Sequence, residues 1–158
     1  MEYINGTRAC EAEVRRFLMD FLLVKLIHIF SVFIYAGFLF TDNLILMRMQ
    51  KTLSEDKYKE VRGYFAKLTR AIVPKALVLA VVSGVYLFHI SFGSIPEDNS
   101  FSSFQILLSL KAILGLWLGL RGVLQVFFGI QPFVFKGHRL PFILVIMIIF
   151  LSQIMYSI

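Results

Sequence analysis

One stretch constrains this chain more than any other: Leu22-Leu23-Val24-Lys25-Leu26-Ile27-His28-Ile29-Phe30, running on through Ser31 to Phe40. It is apolar and long enough to cross a bilayer at a rise of about 1.5 Å per residue. A lysine and a histidine stand three residues apart well inside it. Ionisable side chains are expensive in lipid and take partners there, so an intramembrane pair of this kind marks a site. The fold must give Lys25 and His28 something to face.

Three further apolar runs follow. The spans read from the sequence are 18–40, 71–92, 104–128 and 140–158, each near the roughly 20 residues that a membrane crossing needs. The fold class that follows is an all-α membrane protein, a four-transmembrane-helix bundle forming a single membrane domain over residues 1–158. Composition agrees, with 58% of residues hydrophobic and 16% charged, too apolar for an ordinary soluble domain. Pro74 and Pro141 read as first-turn residues of spans two and four, where a missing N–H costs little. Residues 1–16 are polar and mixed in charge, and the run after them is too long for a signal-peptide core, so it reads as a permanent span.

Between spans one and two, residues 41–70 contain a short amphipathic cytoplasmic helix. Ser54 is placed as its N-cap, with Glu55 and Asp56 in the first turn, where the helix dipole favours acids. Tyr58, Val61, Phe65 and Leu68 fall on one face, with Lys57, Lys59, Arg62 and Lys67 largely off it. Such a helix either lies on the inner leaflet or runs directly into span two as a solvated extension. The turn regions 93–103 and 129–140 complete the connections.

Lysine and arginine exceed aspartate and glutamate by 6, counting 16 against 10. Arg48, Lys51, Lys57, Lys59, Arg62, Lys67 and Arg70 follow span one, and Lys136 and Arg139 follow span three. The positive-inside rule then puts these loops in the cytoplasm and both termini outside, as in a multi-pass protein of a bacterial inner membrane with periplasmic termini. No basic patch interleaved with stacking aromatics lies outside the apolar runs, so nucleic acid is excluded as a partner. The single cysteine, Cys10, excludes an internal disulfide and any cysteine-based metal cluster. No nucleophile–base pair, phosphate loop or carboxylate dyad is present.

The polar residues inside the spans are the candidate site. At 100° per residue, Lys25, His28, Ser31, Tyr35 and Asp42 share a stripe of span one. Lys75, Leu79, Val82, Tyr86 and His89 share one of span two, and Lys111, Gly115, Leu118, Gly122 and Gln125 one of span three. With the termini outside, Lys25, His28, His89 and Lys111 gather in the outer half, while Lys75 snorkels to the cytoplasmic interface. His28 reads as an axial ligand to a haem iron, or as a histidine simply hydrogen-bonded to a neighbouring hydroxyl or carbonyl. His89 reads as a second ligand or a solvated interfacial histidine. Lys111 reads as a cation facing a porphyrin propionate, or as a snorkelling lysine. Gly115, Gly119 and Gly122 allow close helix approach, or a flat macrocycle against the helix. The scattered methionines (Met19, Met47, Met49, Met147 and Met155) raise a copper reading but fit packing better.

Several of these segments together resemble a known family. Lys25-Leu26-Ile27-His28-Ile29, followed by Ala36-Gly37-Phe38-Leu39-Phe40, is similar to the first helix of the HemJ-type protoporphyrinogen IX oxidases and the wider CopD-like bacterial membrane proteins. Leu68-Thr69-Arg70-Ala71-Ile72-Val73-Pro74 with Ser83-Gly84-Val85-Tyr86-Leu87 is similar to the second helix. Leu110-Lys111-Ala112-Ile113-Leu114 carries the third-helix lysine, and Pro141 the proline opening the last helix.

The resemblance implies a haem b protein of the inner membrane engaged in redox chemistry or electron transfer. His28 would be a metal ligand and His89 a possible second one, with Lys111 as the functional lysine. Lys25 and Lys111 would counter propionate charge, and Tyr35 and Tyr86 would donate hydrogen bonds from further out. A membrane redox partner or a second copy of the chain would complete such a system. The chain departs from the family pattern at Ser109, where a histidine stands, at Asn43, near the usual arginine, and at Arg139-Leu140, in place of Asn-Glu. Haem binding is therefore the expectation, ahead of protoporphyrinogen oxidation. The alternatives are a non-enzymatic accessory subunit whose buried polar groups lock helices together, and a copper-handling or transport protein.

Overall fold

The computed structural model describes residues 2–93, 101–127, 139–155 and 157. All its regular structure is helical, in the order α1 (Glu2–Phe40), a six-residue π-helical stretch (Thr41–Leu46), α2 (Met47–Met49), α3 (Glu55–Phe92), α4 (Ser103–Phe127) and α5 (Arg139–Ile154). Among the described residues, three helices are long and apolar enough to cross a membrane: those running through 13–49, 55–92 and 103–124. The fourth apolar helix, α5, has 16 residues and reaches only about 24 Å at the α-helical rise. Large apolar side chains such as Phe33, Val82 and Phe150 are exposed along these helices. Lipid is the solvent that such a surface fits.

Span one continues beyond Phe40. The polar Thr41-Asp42-Asn43 triplet, which reads as a loop in sequence, is wound into the helix as a π-helical stretch. An i→i+5 turn loosens the ladder at one point, and the Asn43 Nδ2 donates to the Leu39 carbonyl at 2.9 Å. Asp42 is carried inward and buried. The connection to α3 is thereby only a short turn over 50–54, closed by Lys51 N–H to Arg48 O (3.0 Å) and Leu53 N–H to Met49 O (3.0 Å).

The amphipathic helix of the sequence reading is not a separate element. It is the first half of α3, which runs unbroken for 38 residues. Ser54 occupies the N-cap with extended backbone, and its carbonyl accepts the Tyr58 N–H at 2.9 Å, although its side chain makes no capping bond. Pro74 therefore lies in the interior of a helix rather than in a first turn. With no N–H, it leaves the Arg70 carbonyl without its usual helical donor. The buried stripe of α3 runs Tyr58, Val61, Phe65, Thr69, Ala76, Ala80 and Ser83, so Leu68 falls outside it and is exposed. Phe65 stacks on Phe38 of α1, with ring centroids 5.8 Å apart. The helix ends at Gly93, whose φ of 71° is a left-handed conformation that glycine adopts without steric cost.

The start of α4 is a reciprocal capping box. The Gln105 N–H donates to Ser102 Oγ (3.2 Å), and the Ser102 N–H donates to Gln105 Oε1 (3.0 Å). Gln105 Nε2 also donates to the Phe92 carbonyl at 2.9 Å, which fixes the entry of α4 against the exit of α3. Further along, α4 packs closely on α3. A Cβ added at Gly119 would strike Val81 Cγ2, and one at Gly122 would strike Leu77 Cδ2. Gly115, one turn earlier, faces open space. Close packing thus explains two of the three glycines.

Helix α5 begins with Arg139-Leu140-Pro141, and Pro141 is fully buried in the first turn, as the sequence suggests. Phe142 meets Phe40 edge-on at 4.9 Å. The core is the meeting point of α1, α4 and α5, formed by Ala36, Leu39, Leu118 and Val145 with Tyr35, Phe38, Phe142, Leu144 and Ile148 around them. The turn over 94–100, most of the 129–140 connection and the end of span four lie outside the described residues.

Candidate functional site

His28 is held between α1 and α3. Its Nδ1 lies 2.9 Å from the Ala80 carbonyl oxygen and 3.1 Å from Ser83 Oγ. A carbonyl can only accept, so Nδ1 carries the proton. The Ser83 hydroxyl in turn donates to the Leu79 carbonyl at 2.5 Å, which leaves its lone pairs to receive the imidazole N–H. These assignments agree with one another and put a proton on Nδ1; in the neutral ring that leaves Nε2 as the acceptor nitrogen. There Nε2 keeps its lone pair, the form in which a histidine ligates a metal.

Small residues on α3 make this approach possible. A Cβ at Gly84 would stand 3.0 Å from His28 Cε1 and 3.4 Å from Nδ1, closer than ordinary packing allows. Ala80, Ser83 and Gly84 together form the shallow seat in which the ring lies. The sequence offered one signal for it, the small pair Ser83-Gly84 within an apolar run, and the stripe reading of span two passed it by.

The predicted stripe of span two is the outward one. Lys75, Leu79, Val82, Tyr86 and His89 are all exposed. His89 lies five residues beyond Gly84, about 7.5 Å along α3 and about 140° around it. The fold therefore does not bring His89 or Tyr86 to His28. The physical reason is that the face of α3 turned to α1 is chosen by its small residues, which permit backbone approach, and not by its polar ones.

On α1, Ser31 and Asp42 are buried, Tyr35 is half-buried, and Lys25 lies at the exposed edge of the stripe rather than within it. Tyr35 follows His28 by seven residues, about 10 Å further along the helix axis. Lys111 of α4 is half-buried, and it lies within Coulombic range of both His28 and Lys25. Lys25 and His28 of α1 thus share an electrostatic neighbourhood with Lys111 of α4. The side chain of Gln125, the last residue of the predicted stripe on span three, lies outside the described residues, as does His138.

Among the described residues, no group of three or more histidine, cysteine or acidic side chains is positioned to hold a metal ion. A lone imidazole with a free Nε2 suits a metal whose other ligands come from elsewhere, such as the four nitrogens of a porphyrin. No family model, curated protein or solved structure matches the chain. What the site does is accordingly argued from these residues and their geometry.

Proposed function

We propose that the protein is a four-span inner-membrane protein that binds haem b through His28 and serves redox chemistry or electron transfer. One observation carries this reading: the Nδ1–H of His28 is held between the Ala80 carbonyl and the Ser83 hydroxyl, an arrangement that in the neutral ring presents Nε2 as a ligand. The donor set fits a haem held by one histidine. Lys111 and Lys25 supply positive charge beside it for propionate groups, and Gly115 leaves open space on α4. The haem would supply the one-electron couple. The chain supplies the axial nitrogen, the burial and the neighbouring charge, the means by which proteins set a haem potential.

In this reading the basic residues from Arg48 to Arg70, with Arg139, face the cytoplasm, and both termini face the periplasm. Helix α5, shorter than the other three, is then the fourth span. Cys10 is the only cysteine, so a membrane-impermeant maleimide reads the topology directly. Labelling of intact cells permeable at the outer membrane is expected, and labelling only after lysis reverses the orientation.

The test of function is the reduced-minus-oxidised visible spectrum of the protein purified in mild detergent, alongside His28→Ala. A b-type Soret and α band in the wild type, lost in the variant, is the expected result. Equal haem content in the two proteins removes His28 as ligand. A second reading, in which His28 is only a clasp between α1 and α3 of a non-enzymatic subunit, is favoured by its bond to Ser83. It predicts a folded wild type, expressed with haem available, that shows no Soret band.

A further inference from the structure

The contacts that α3 makes on His28 do more than join two helices. We propose that Ser83 and Gly84 are positioning residues that set the donor strength of His28 Nε2 toward a bound haem iron, and hence the potential of that haem. The inference rests on the haem reading and deepens it.

The argument begins with hydrogen-bond polarity. The chain runs from the His28 Nδ1–H to Ser83 Oγ and from the Ser83 O–H to the Leu79 carbonyl, at 3.1 and 2.5 Å. Its terminal acceptor is a backbone carbonyl, so the polarity cannot reverse. The Ala80 carbonyl, also within reach of Nδ1, is shared with the helical N–H four residues on. The single Nδ1 proton is thus shared between the Ala80 carbonyl and Ser83 Oγ, and Ser83 supplies the side-chain half of that pair. Ser83 is buried, and a hydrogen bond in low dielectric is electrostatically stronger than one in water. Pulling on the Nδ1 proton puts more negative charge on the ring, and Nε2 becomes a stronger donor to ferric iron.

Gly84 fixes the ring plane. The nearest ring atoms, Cε1 and Nδ1, lie at 3.0 and 3.4 Å from the place a Cβ would occupy. A side chain there pushes the imidazole away from α3 and stretches both Nδ1 contacts. Ser83 thus governs the charge of the ligand and Gly84 its seat.

The experiment compares wild type, Ser83→Ala, Ser83→Thr and Gly84→Ala in mild detergent. Redox potentiometry gives the midpoint potential, and the rate of haem transfer to apomyoglobin gives retention. Ser83→Ala is expected to raise the potential and to weaken retention by about 10-fold. Ser83→Thr keeps an acceptor hydroxyl and is expected to restore the wild-type potential. Gly84→Ala is expected to move the potential in the same direction as Ser83→Ala. A haem-bearing wild type whose Ser83→Ala and Gly84→Ala variants share its potential overturns this inference alone, even if both variants melt earlier. A wild type that carries no haem overturns the haem reading and this inference with it.

Discussion

Gly119 and Gly115 lie one helical turn apart on α4, and alanine at the two positions should have opposite effects. At Gly119 the added methyl meets Val81 Cγ2 directly, with Val81 Cβ and Cγ1 each 3.6 Å away. Valine in a helix has one strongly preferred rotamer, so Val81 cannot turn aside cheaply and the two helices must separate. Overpacking of this kind costs about 1–3 kcal/mol. The better helix propensity of alanine returns up to about 1 kcal/mol, which leaves Gly119→Ala less stable by about 1–2 kcal/mol. At Gly115 a methyl meets nothing within 4 Å, so only the propensity gain remains. Val81→Ala removes the obstructing methyls, and the double variant should recover at least about 1 kcal/mol as a coupling energy. Unfolding by SDS titration in mixed micelles, followed by far-UV circular dichroism, measures the wild type and the four variants. Equal stability of the two glycine variants, or no recovery in the double variant, would refute the close packing of α3 on α4.

Two other substitutions probe the packing and the turn. Leu39 is 1% exposed at the junction of α1, α4 and α5. Leu39→Ala should lower stability in the same titration by about 2–3 kcal/mol, whereas Leu44→Ala, on the exposed face, should change it little. A loss at Leu44 as large as at Leu39 would place the core elsewhere. Gln105→Leu removes the side-chain half of the capping box of α4 and the tie to Phe92, and should cost about 1–2 kcal/mol. It should also speed proteolysis in the connection between α3 and α4, and an unchanged cleavage rate would argue against the tie.

Much of this architecture was legible in the residues. The apolar runs gave all the long helices, and the Ser54-Glu55-Asp56 signature gave the start of α3. Gly115, Gly119 and Gly122 read as close-packing positions; Gly119 and Gly122 are so, and Gly115 is not. His28 read as facing inward and does. Two features were hidden by local cues that tertiary structure overrides. The first span reads as ending at Phe40 although Asp42 shares its polar stripe; Asn43 satisfies the Leu39 carbonyl and the helix continues. Pro74 looked like a helix start because proline suits a first turn. It lies instead inside α3, which continues through it.

The faces are where sequence and tertiary structure part. In water, hydrophobic periodicity marks the buried side of a helix, because the exposed side must be polar. In lipid both sides are apolar, so the period carries little information about which side is inside. Sequence by itself determined that the chain is a set of apolar helices with lysine and histidine set into them. It also determined that polar groups there would need partners. Only the tertiary structure decided which groups meet. Ala80, Ser83 and Gly84 bring α3 against His28 because small residues let backbones approach and expose a carbonyl to the ring. Tyr86 and His89, on the same helix and no less polar, are turned away for the same reason.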